Sequence, residues 1–379
     1  MYKVPLCCKS FIFKFPDAAV KKKLHIFCDI IDNYGDIGFS LRLARSLCQD
    51  FDTVLYCTKP EVMKKITDSQ DAVLSSLKTR GWPDAAENYQ CPDVIIEAFS
   101  CRLPQSILPA VRKKAPLIIA SEYLTAEKFA EECHGRQSFS DGTFSYFFFP
   151  GFTRKTGGLI FDESLLELRK RGRLLRTVES NRKKTQYITI FLYKNSAIDT
   201  LLAVLQKSSR SFRIKIFEGL PLEEFNQKFK TELRIGEHLK INNLEIEALS
   251  MISQARYDIL LAQADLNLVR GEESAARAML LGKPFLWHIY PQSADAHLKK
   301  LEAFFEVMRE TAEDKEIIDV IAGINLSYNH YGTALADFDF DRYYDRWRLA
   351  CRHWSSYLIS LGSFSDNLKR FINDKLKDA

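Results

Sequence analysis

Two short segments of the sequence combine residue types that could do chemistry together. In the first, DNYGDIG at 32–38, Asp32 and Asp36 lie four residues apart. In the second, RGEES at 270–274, an arginine and a glycine precede two glutamates and a serine. Carboxylates can accept a proton from a nucleophile, whereas an arginine near the start of a helix favours a phosphate or a diphosphate. The two segments therefore predict an acidic site and an anion site.

Each segment follows a predicted strand and leads into a predicted helix. Apolar residues at 24–31 and 266–269 indicate buried strands, and the runs at 39–48 and 275–281 indicate helices. Ligands bind at the carboxyl ends of the strands in open parallel sheets, so both segments are expected at such an edge. Gly271 would let the backbone approach a ligand closely there.

A plainer structural interpretation is open for each segment taken alone. Asp and Asn are common in capped turns, so Asp32 and Asp36 could simply close the first loop. The dipole of a helix also favours acids such as Glu272 and Glu273 in its first turn. The functional interpretation rests on the combination of the two segments.

The alternation of strands and helices predicts an α/β protein with two Rossmann-like, doubly wound domains that face each other across a cleft. We predict an extension over 1–23, a first domain over 24–175, a second over 185–359, and a last helix over 360–379 that packs back on the first domain. Residues 169–184 contain eight basic side chains without interleaved aromatic residues, which favours a solvated linker over a nucleic-acid site.

Composition and motifs argue against several classes of protein. The net charge of +5 is mild, and the nine cysteines include no CxxC pair, which favours reduced thiols in the cytoplasm over disulfides or a zinc site. No apolar run is long enough to span a membrane. The motifs of common hydrolases, kinases and dehydrogenases are absent. Asp337, Asp339 and Asp341 precede a predicted helix, and we predict a turn with a helix cap there.

These features favour a nucleotide-sugar glycosyltransferase that works without a metal. An arginine and a helix dipole would stabilise the diphosphate leaving group, and carboxylates across the cleft would handle the proton of the acceptor.

Several segments carry a specific resemblance to one family. The sequence from about Leu24 onward resembles the protein-arginine rhamnosyltransferases of bacterial elongation factor P, the EarP family. The matching segments are DNYGDIG at 32–38, RLARSL at 42–47, PDVIIEAFSCRLP at 92–104, SEYL at 121–124, GFTRKTGGLI at 151–160, RGEES at 270–274 and GKPFLWHIYPQ at 282–292.

The resemblance implies a GT-B fold and an inverting transfer of L-rhamnose. The donor would be dTDP-β-L-rhamnose, and the acceptor an arginine side chain of elongation factor P, which is thereby activated to rescue ribosomes stalled at polyproline. No metal or other cofactor and no nucleic-acid or membrane partner are implied.

The resemblance also implies roles for individual residues. Asp36 would be the general base, while Asp32 and Glu272 orient the guanidinium. Arg270 and Ser274 would hold the diphosphate. Further donor-binding positions would be Asn33, Tyr34, Gly35, Tyr193, Met251, Gln254, Gly271, Glu273, Tyr290 and Gln292.

Two positions depart from the family pattern. Glu273 stands where an aspartate is usual, and Met251 stands where an aromatic residue would stack on thymine, although a thioether can also pack on a ring face.

Two other functions compete with the main one. One competing function is a GT-B transferase or epimerase that acts on small molecules. The other is a non-catalytic nucleotide-sugar-binding regulator of translation. An acidic acceptor site favours a cationic acceptor over the first, and intact Asp32, Asp36 and Glu272 argue against the second.

Overall fold

The structure is a computed structural model that describes residues 21–31, 33–68, 77–82, 89–178, 185–194 and 196–378. Asp32 and residues 1–20 of the predicted extension therefore lie outside the described residues, as do residues 179–184 of the predicted linker.

The first sheet contains seven strands within the described residues. They are β1 (Lys23–Cys28), β2 (Asp52–Cys57), β3 (Lys78–Gly81), β4 (Val94–Ala98), β5 (Leu117–Ser121), β6 (Gln137–Ser140) and β7 (Thr143–Phe148). Their order across the sheet is β3-β2-β1-β4-β5-β7-β6. Neighbouring strands are parallel except for β6 and β7, which pair antiparallel at one edge. The buried β1 and β4 lie in the middle, as their apolar sequences require.

Helices alternate with these strands. They are α1 (Asn33–Leu47), α2 (Pro60–Lys65), α3 (Leu108–Lys114), α4 (Lys128–Cys133) and α5 (Glu163–Val178). Helix α1 buries Leu43 and Leu47 against the first sheet.

The second sheet contains six strands within the same described residues. They are β8 (Thr185–Ile190), β9 (Ser211–Phe217), β10 (His238–Ile241), β11 (Leu244–Leu249), β12 (Leu266–Arg270) and β13 (Phe285–His288). The order is β10-β11-β9-β8-β12-β13, and only the edge pair of β10 and β11 is antiparallel. The two sheets agree with the predicted pair of doubly wound halves.

Eight helices accompany the second sheet in the described part of the chain. They are α6 (Ile198–Gln206), α7 (Leu220–Phe229), α8 (Gln254–Gln263), α9 (Glu273–Leu281), α10 (Ala296–Glu310), α11 (Lys315–Tyr328), α12 (Phe340–Ser360) and α13 (Phe364–Lys377). Helix α12 buries Trp347 and Trp354 in the core of the second half. After a break at Gly362, α13 returns to the first half, where Phe364, Leu368 and Ile372 join the core around β1 and α1.

The segment DNYGDIG is mostly helix, whereas we predicted a loop. Helix α1 begins at Asn33, so Asp36 lies in its first turn, where the helix dipole favours an acid. The Asp36 carboxylate accepts a hydrogen bond of 2.8 Å from the Ile31 N–H, which ties the start of the helix to the chain before it. Gly38 lies inside the helix at a closely packed position, where a Cβ would approach Nε2 of Gln254 to 3.2 Å.

The alternating aspartates form the predicted turn and helix cap. Asp339 caps α12 by accepting a hydrogen bond of 3.0 Å from the Arg342 N–H. Asp341 bonds to Ser208, Ser209 and Arg210. Among the residues that the structure describes, no group of three or more histidine, cysteine or acidic side chains is arranged to hold a metal ion. A search of the same residues finds no helix with the length and apolarity to cross a membrane.

Candidate functional site

The cleft between the two sheets contains two adjoining cavities. The cavity that we call the arginine cavity encloses about 550 Å³ when its open mouth is included, and it is lined by Tyr34, Phe191, Met251, Tyr257, Arg270 and Ser274, among others. The other, the acidic cavity, encloses about 1140 Å³ when its open mouth is included, and it is lined by Asp36, Phe99, Tyr123, Glu272, Tyr290 and Lys300, among others. Gly35 and Glu273 line both cavities, so the two meet at these residues.

Arg270 ends β12 and places a half-buried guanidinium in the arginine cavity. The guanidinium carbon lies 4.2 Å from the ring centre of Phe191 and 4.9 Å from that of Tyr193. The ring of Tyr34, from α1, is 6.0 Å away. A hydrogen bond of 3.3 Å to the Leu192 carbonyl fixes the group further. The rings hold the cation without neutralising it, so its charge can act on an anion.

The start of α9 adds a second source of positive potential to this cavity. Gly271 has a φ of 60°, a left-handed conformation that favours glycine, and its carbonyl accepts a hydrogen bond of 2.6 Å from the Trp287 indole. The first N–H groups of a helix have no acceptor within the helix. The Ser274 hydroxyl donates to the Arg270 carbonyl, which ties the helix to the strand. The segment is thus shaped for an anion such as a diphosphate.

Asp36 reaches the acidic cavity from the first half of the molecule. Asp36 is only 3% exposed, and the Ile31 N–H donates to its carboxylate, while the Ser40 hydroxyl donates to its main-chain carbonyl. A buried carboxylate with a fixed orientation is suited to receive a proton from a group that enters the cavity.

Glu272 reaches the same cavity from the second half, where three elements meet. Its Oε2 atom accepts a hydrogen bond of 2.6 Å from the Leu124 N–H, in the segment that follows β5. Its Oε1 atom pairs with the ammonium of Lys300, on α10. Asp36 of the first predicted segment and Glu272 and Glu273 of the second therefore line one cavity.

An aromatic wall, Phe99 and Tyr123, closes one side of the acidic cavity. The two rings stack with their centres 4.5 Å apart. Phe99 and Ser100 both have left-handed backbones, with φ values of 57° and 49°. Such conformations cost free energy for residues other than glycine and persist where the surroundings fix them. Neither Phe99 nor Tyr123 was among the predicted site residues. Both lie in segments that resemble the family, PDVIIEAFSCRLP at 92–104 and SEYL at 121–124.

A buried charge network joins the two halves behind the cavities. Arg42, on α1, forms hydrogen bonds of 2.9 and 3.0 Å with Asp258, on α8. Arg277, on α9, forms bonds of 2.9 and 2.6 Å with the same carboxylate. Arg42 also pairs with Glu273. Burial would raise the pKa of Asp258, but Arg277 and Arg42 outweigh it and hold that pKa below its usual range.

Gln254 and Met251 have contacts that the sequence did not predict. Gln254, in the second half, forms two hydrogen bonds with the first half. Its backbone N–H donates to the Ile66 carbonyl at 2.9 Å, and its side-chain amide donates to the Gly38 carbonyl at 2.9 Å. The Met251 side chain lines the arginine cavity, while its N–H donates to Glu218 at 2.7 Å.

Of the four remaining predicted positions, three lie around the cleft, namely Tyr193, Tyr290 and Gln292. The buried Tyr193 borders Arg270, and its N–H donates to Nδ1 of His288 at 3.2 Å. Tyr290 is 48% exposed and meets the Tyr193 ring edge to face. Tyr290 and Gln292 both line the acidic cavity. Asn33 begins α1.

Comparison with known proteins identifies relatives that match most of the chain. A family model described as "Elongation-Factor P (EF-P) rhamnosyltransferase EarP" matches residues 24–373. The protein-arginine rhamnosyltransferase of Pseudomonas aeruginosa is 33% identical over 351 residues, covering 87% of this chain and 93% of the relative. That of Neisseria meningitidis is 30% identical over 381 residues, covering 93% and 97%.

A solved structure agrees with the fold. It is described as the structural basis for EarP-mediated arginine glycosylation of translation elongation factor EF-P, and it is 23% identical with a TM-score of 0.62. The match covers 93% of this chain and 99% of that chain. The fold is therefore the GT-B arrangement that the sequence predicted.

Proposed function

Because this chain belongs to the EarP family of protein-arginine rhamnosyltransferases, we propose that it transfers L-rhamnose from dTDP-β-L-rhamnose to an arginine side chain of elongation factor P. The observation that carries the proposal is the convergence of Asp36 and Glu272 in one cavity, from opposite halves, beside a cavity that presents Arg270. An acidic cavity suits a cationic acceptor, and an adjoining cationic cavity suits a diphosphate donor.

The donor would bind in the arginine cavity. The diphosphate would pair with the Arg270 guanidinium and with the N–H groups at the start of α9. The apolar lining by Phe217, Met251 and Ile252 would take the thymine. Glu273 and Gly35 line both cavities, so the sugar would lie at that junction.

The acceptor arginine would enter through the acidic cavity. Its guanidinium stays protonated at neutral pH, so attack and proton transfer must be concerted. Asp36 and Glu272 would hold the cation in line with the sugar carbon, and Asp32 would assist by analogy with the family. A guanidinium nitrogen would bond to the anomeric carbon as the carbon–oxygen bond to the diphosphate breaks, with inversion. The nitrogen's proton would pass to Asp36, and the electron pair would leave with dTDP, stabilised by Arg270.

Intact mass spectrometry of elongation factor P tests the proposal. Incubation with this protein and dTDP-rhamnose should add the mass of one deoxyhexose. An unchanged mass in the presence of measurable donor binding would assign the enzyme to another acceptor. An unchanged mass without donor binding would remove the donor assignment as well.

The same assay tests the proposal that no metal takes part. Transfer should proceed at an unchanged rate in EDTA, because Arg270 and the start of α9 supply the positive charge at the leaving group. A rate that falls sharply in EDTA and returns with added magnesium would contradict this.

We also propose that the reaction takes place in the cytoplasm, because the proposed acceptor acts at the ribosome.

A further inference from the structure

Lys300 is a cation within the acidic cavity. It lies on α10, and its side chain is only 12% exposed. The ammonium pairs with Oε1 of Glu272 and lies 6.0 Å from the ring centre of Tyr123. An exposed lysine would gain little from one such pair. Here the ammonium occupies a partly dry position between a carboxylate and an aromatic face.

That position has the properties of a site for a guanidinium. Glu272 supplies the carboxylate edge, and Tyr123, supported by the stacked Phe99, supplies a flat ring face. A guanidinium can form two hydrogen bonds with a carboxylate while its plane stacks on a ring. An ammonium forms point contacts only. Lys300 therefore fills a site that a guanidinium would fit better.

We propose that Lys300 is a specificity-determining residue, whose ammonium occupies the acceptor's cation site until an arginine displaces it. This inference rests on the proposed function and names the part of the site that reads the acceptor. Oε2 of Glu272 is already bonded to Leu124, so an arriving cation competes with Lys300 at Oε1. Two cations at one carboxylate oxygen repel each other, and Lys300 must move away.

The displacement selects arginine over lysine. An incoming guanidinium takes over Oε1 and also stacks its plane on the Tyr123 ring, a contact that the Lys300 ammonium cannot make, so the exchange is favourable. An incoming lysine only replaces one ammonium by another and gains nothing. The resident cation also keeps Glu272 paired while the cavity is empty, which avoids a buried, uncompensated carboxylate.

A double-mutant binding cycle tests the inference without relying on turnover. The affinity of unmodified elongation factor P is measured by calorimetry for the wild type and for Lys300→Met. We expect Lys300→Met to bind the factor about fivefold more tightly, because the competing charge is gone. With a factor whose modified arginine is changed to methionine, the two enzymes should bind equally. Lys300→Arg, which retains a cation, should bind no more tightly than the wild type.

Lys299→Met provides the matched control. Lys299 is the exposed neighbour on the same helix, so this variant removes the same charge outside the cavity. Its affinity for the factor should match the wild type, and both methionine variants should bind dTDP normally as evidence of folding.

Three results would overturn the inference. They are a weaker or equal affinity of Lys300→Met, a gain that persists with the arginine-to-methionine factor, and an equal gain in Lys299→Met. Failure of the proposed function is a separate outcome, recognised when the wild type neither binds elongation factor P nor adds a deoxyhexose to it.

Discussion

Asp36 and Glu272 have different surroundings although both are carboxylates that line one cavity. Asp36 is almost fully buried in the first turn of α1, with the Ile31 N–H on one oxygen. Glu272 is paired with a cation and with a backbone N–H from the other half. Among these contacts, an ammonium pairs with Glu272, whereas a backbone N–H bonds to Asp36. This difference is compatible with the proposed role of Asp36 as the base, which the family resemblance implies.

Asp36→Asn should abolish transfer while leaving donor binding largely intact. The amide preserves the shape of the side chain but cannot take the proton of the attacking nitrogen. The loss in turnover should be about a thousandfold or more, and calorimetry with dTDP should give a dissociation constant within about twofold of the wild type. Near-normal turnover by this variant would remove Asp36 from its role.

Arg270→Ala should mainly weaken donor binding. The guanidinium lies against Phe191 and Tyr193 and forms no ion pair with a carboxylate of the residues that the structure describes, so its charge is available to the diphosphate. Loss of a charge-assisted contact corresponds to roughly 2–3 kcal/mol, or a factor of about 30–150 in affinity. Arg234→Ala, at a largely exposed position of the same half, is the control. Equal dTDP affinity in the two variants would contradict the assignment.

Residue types predicted the acids and the arginine of the site but not their neighbours. Asp36, Glu272 and Arg270 follow strands, and the rule for parallel sheets brings such positions together. Lys300 lies 28 positions after Glu272 on a helix with no motif of its own. Phe99 and Tyr123 read as ordinary apolar residues. Only the tertiary fold brings these side chains to the cavity.

Helices α1, α8 and α9 form the joint between the two halves. Arg42 of α1 bonds to Asp258 of α8 and to Glu273 of α9, and Arg277 completes the network. Glu273 in turn lines both cavities. The spacing of Asp36 from Arg270 therefore depends on a helix contact centred on Arg42 and Asp258, neither of which is among the residues that line the two cavities. Glu273, which stands where the family pattern has an aspartate, is thus a member of this network.

Arg42→Met should loosen this joint. Removing one partner of a buried charge network leaves Asp258 and Glu273 less compensated, which costs roughly 3 kcal/mol. We expect a lower midpoint of urea unfolding and a weaker affinity for dTDP, although Arg42 is not among the residues that line the arginine cavity.

Arg309→Met is the contrasting variant for this prediction. It removes an exposed ion pair with Asp319, which should cost less than about 1 kcal/mol. If Arg42→Met and Arg309→Met had the same effect on unfolding and on dTDP affinity, the network would not position the helices.

Strands and helices with a strong hydrophobic pattern were predictable from the sequence, but the residues at which they begin and end were not. The buried strands β1, β4 and β12 and the helix α9 occur where the sequence indicated them, because their apolar runs are local signals. The start of α1 was wrong because glycines and aspartates usually indicate a loop. Here Gly38 packs closely against Gln254, whose side-chain amide also donates to the Gly38 carbonyl. That contact is between distant segments, and no local pattern reveals it.

At the scale of the whole molecule, buried histidines in both halves set the response to pH. Burial lowers the pKa of His25 and of His134 to about 4, and that of His288 to about 3. In the unfolded chain these groups bind a proton near their usual pKa of 6.5. Below that pH the three histidines are protonated in the unfolded chain but stay neutral in the folded protein. Burial raises the pKa of Glu97 to about 7, which acts in the opposite direction.

Thermal stability should therefore fall between pH 7.5 and pH 5.5. Three histidines favour the unfolded state as the pH decreases, whereas Glu97 opposes them over that range because its folded form is protonated first. Differential scanning calorimetry should give a lower unfolding temperature at pH 5.5. Glu97→Gln removes the opposing proton and should make the decrease steeper. An unfolding temperature that rises on acidification would contradict this account.

The return of α13 to the first half has a consequence for how the chain folds. Phe364, Leu368 and Ile372 complete a core whose other members lie between Leu24 and Ile160. Contacts between such distant segments form late, because a long loop must close first. During synthesis, the first half would emerge from the ribosome with an apolar surface that its final helix has yet to cover. The second half would fold in the meantime, so the half that would bind the acceptor should be the last to mature.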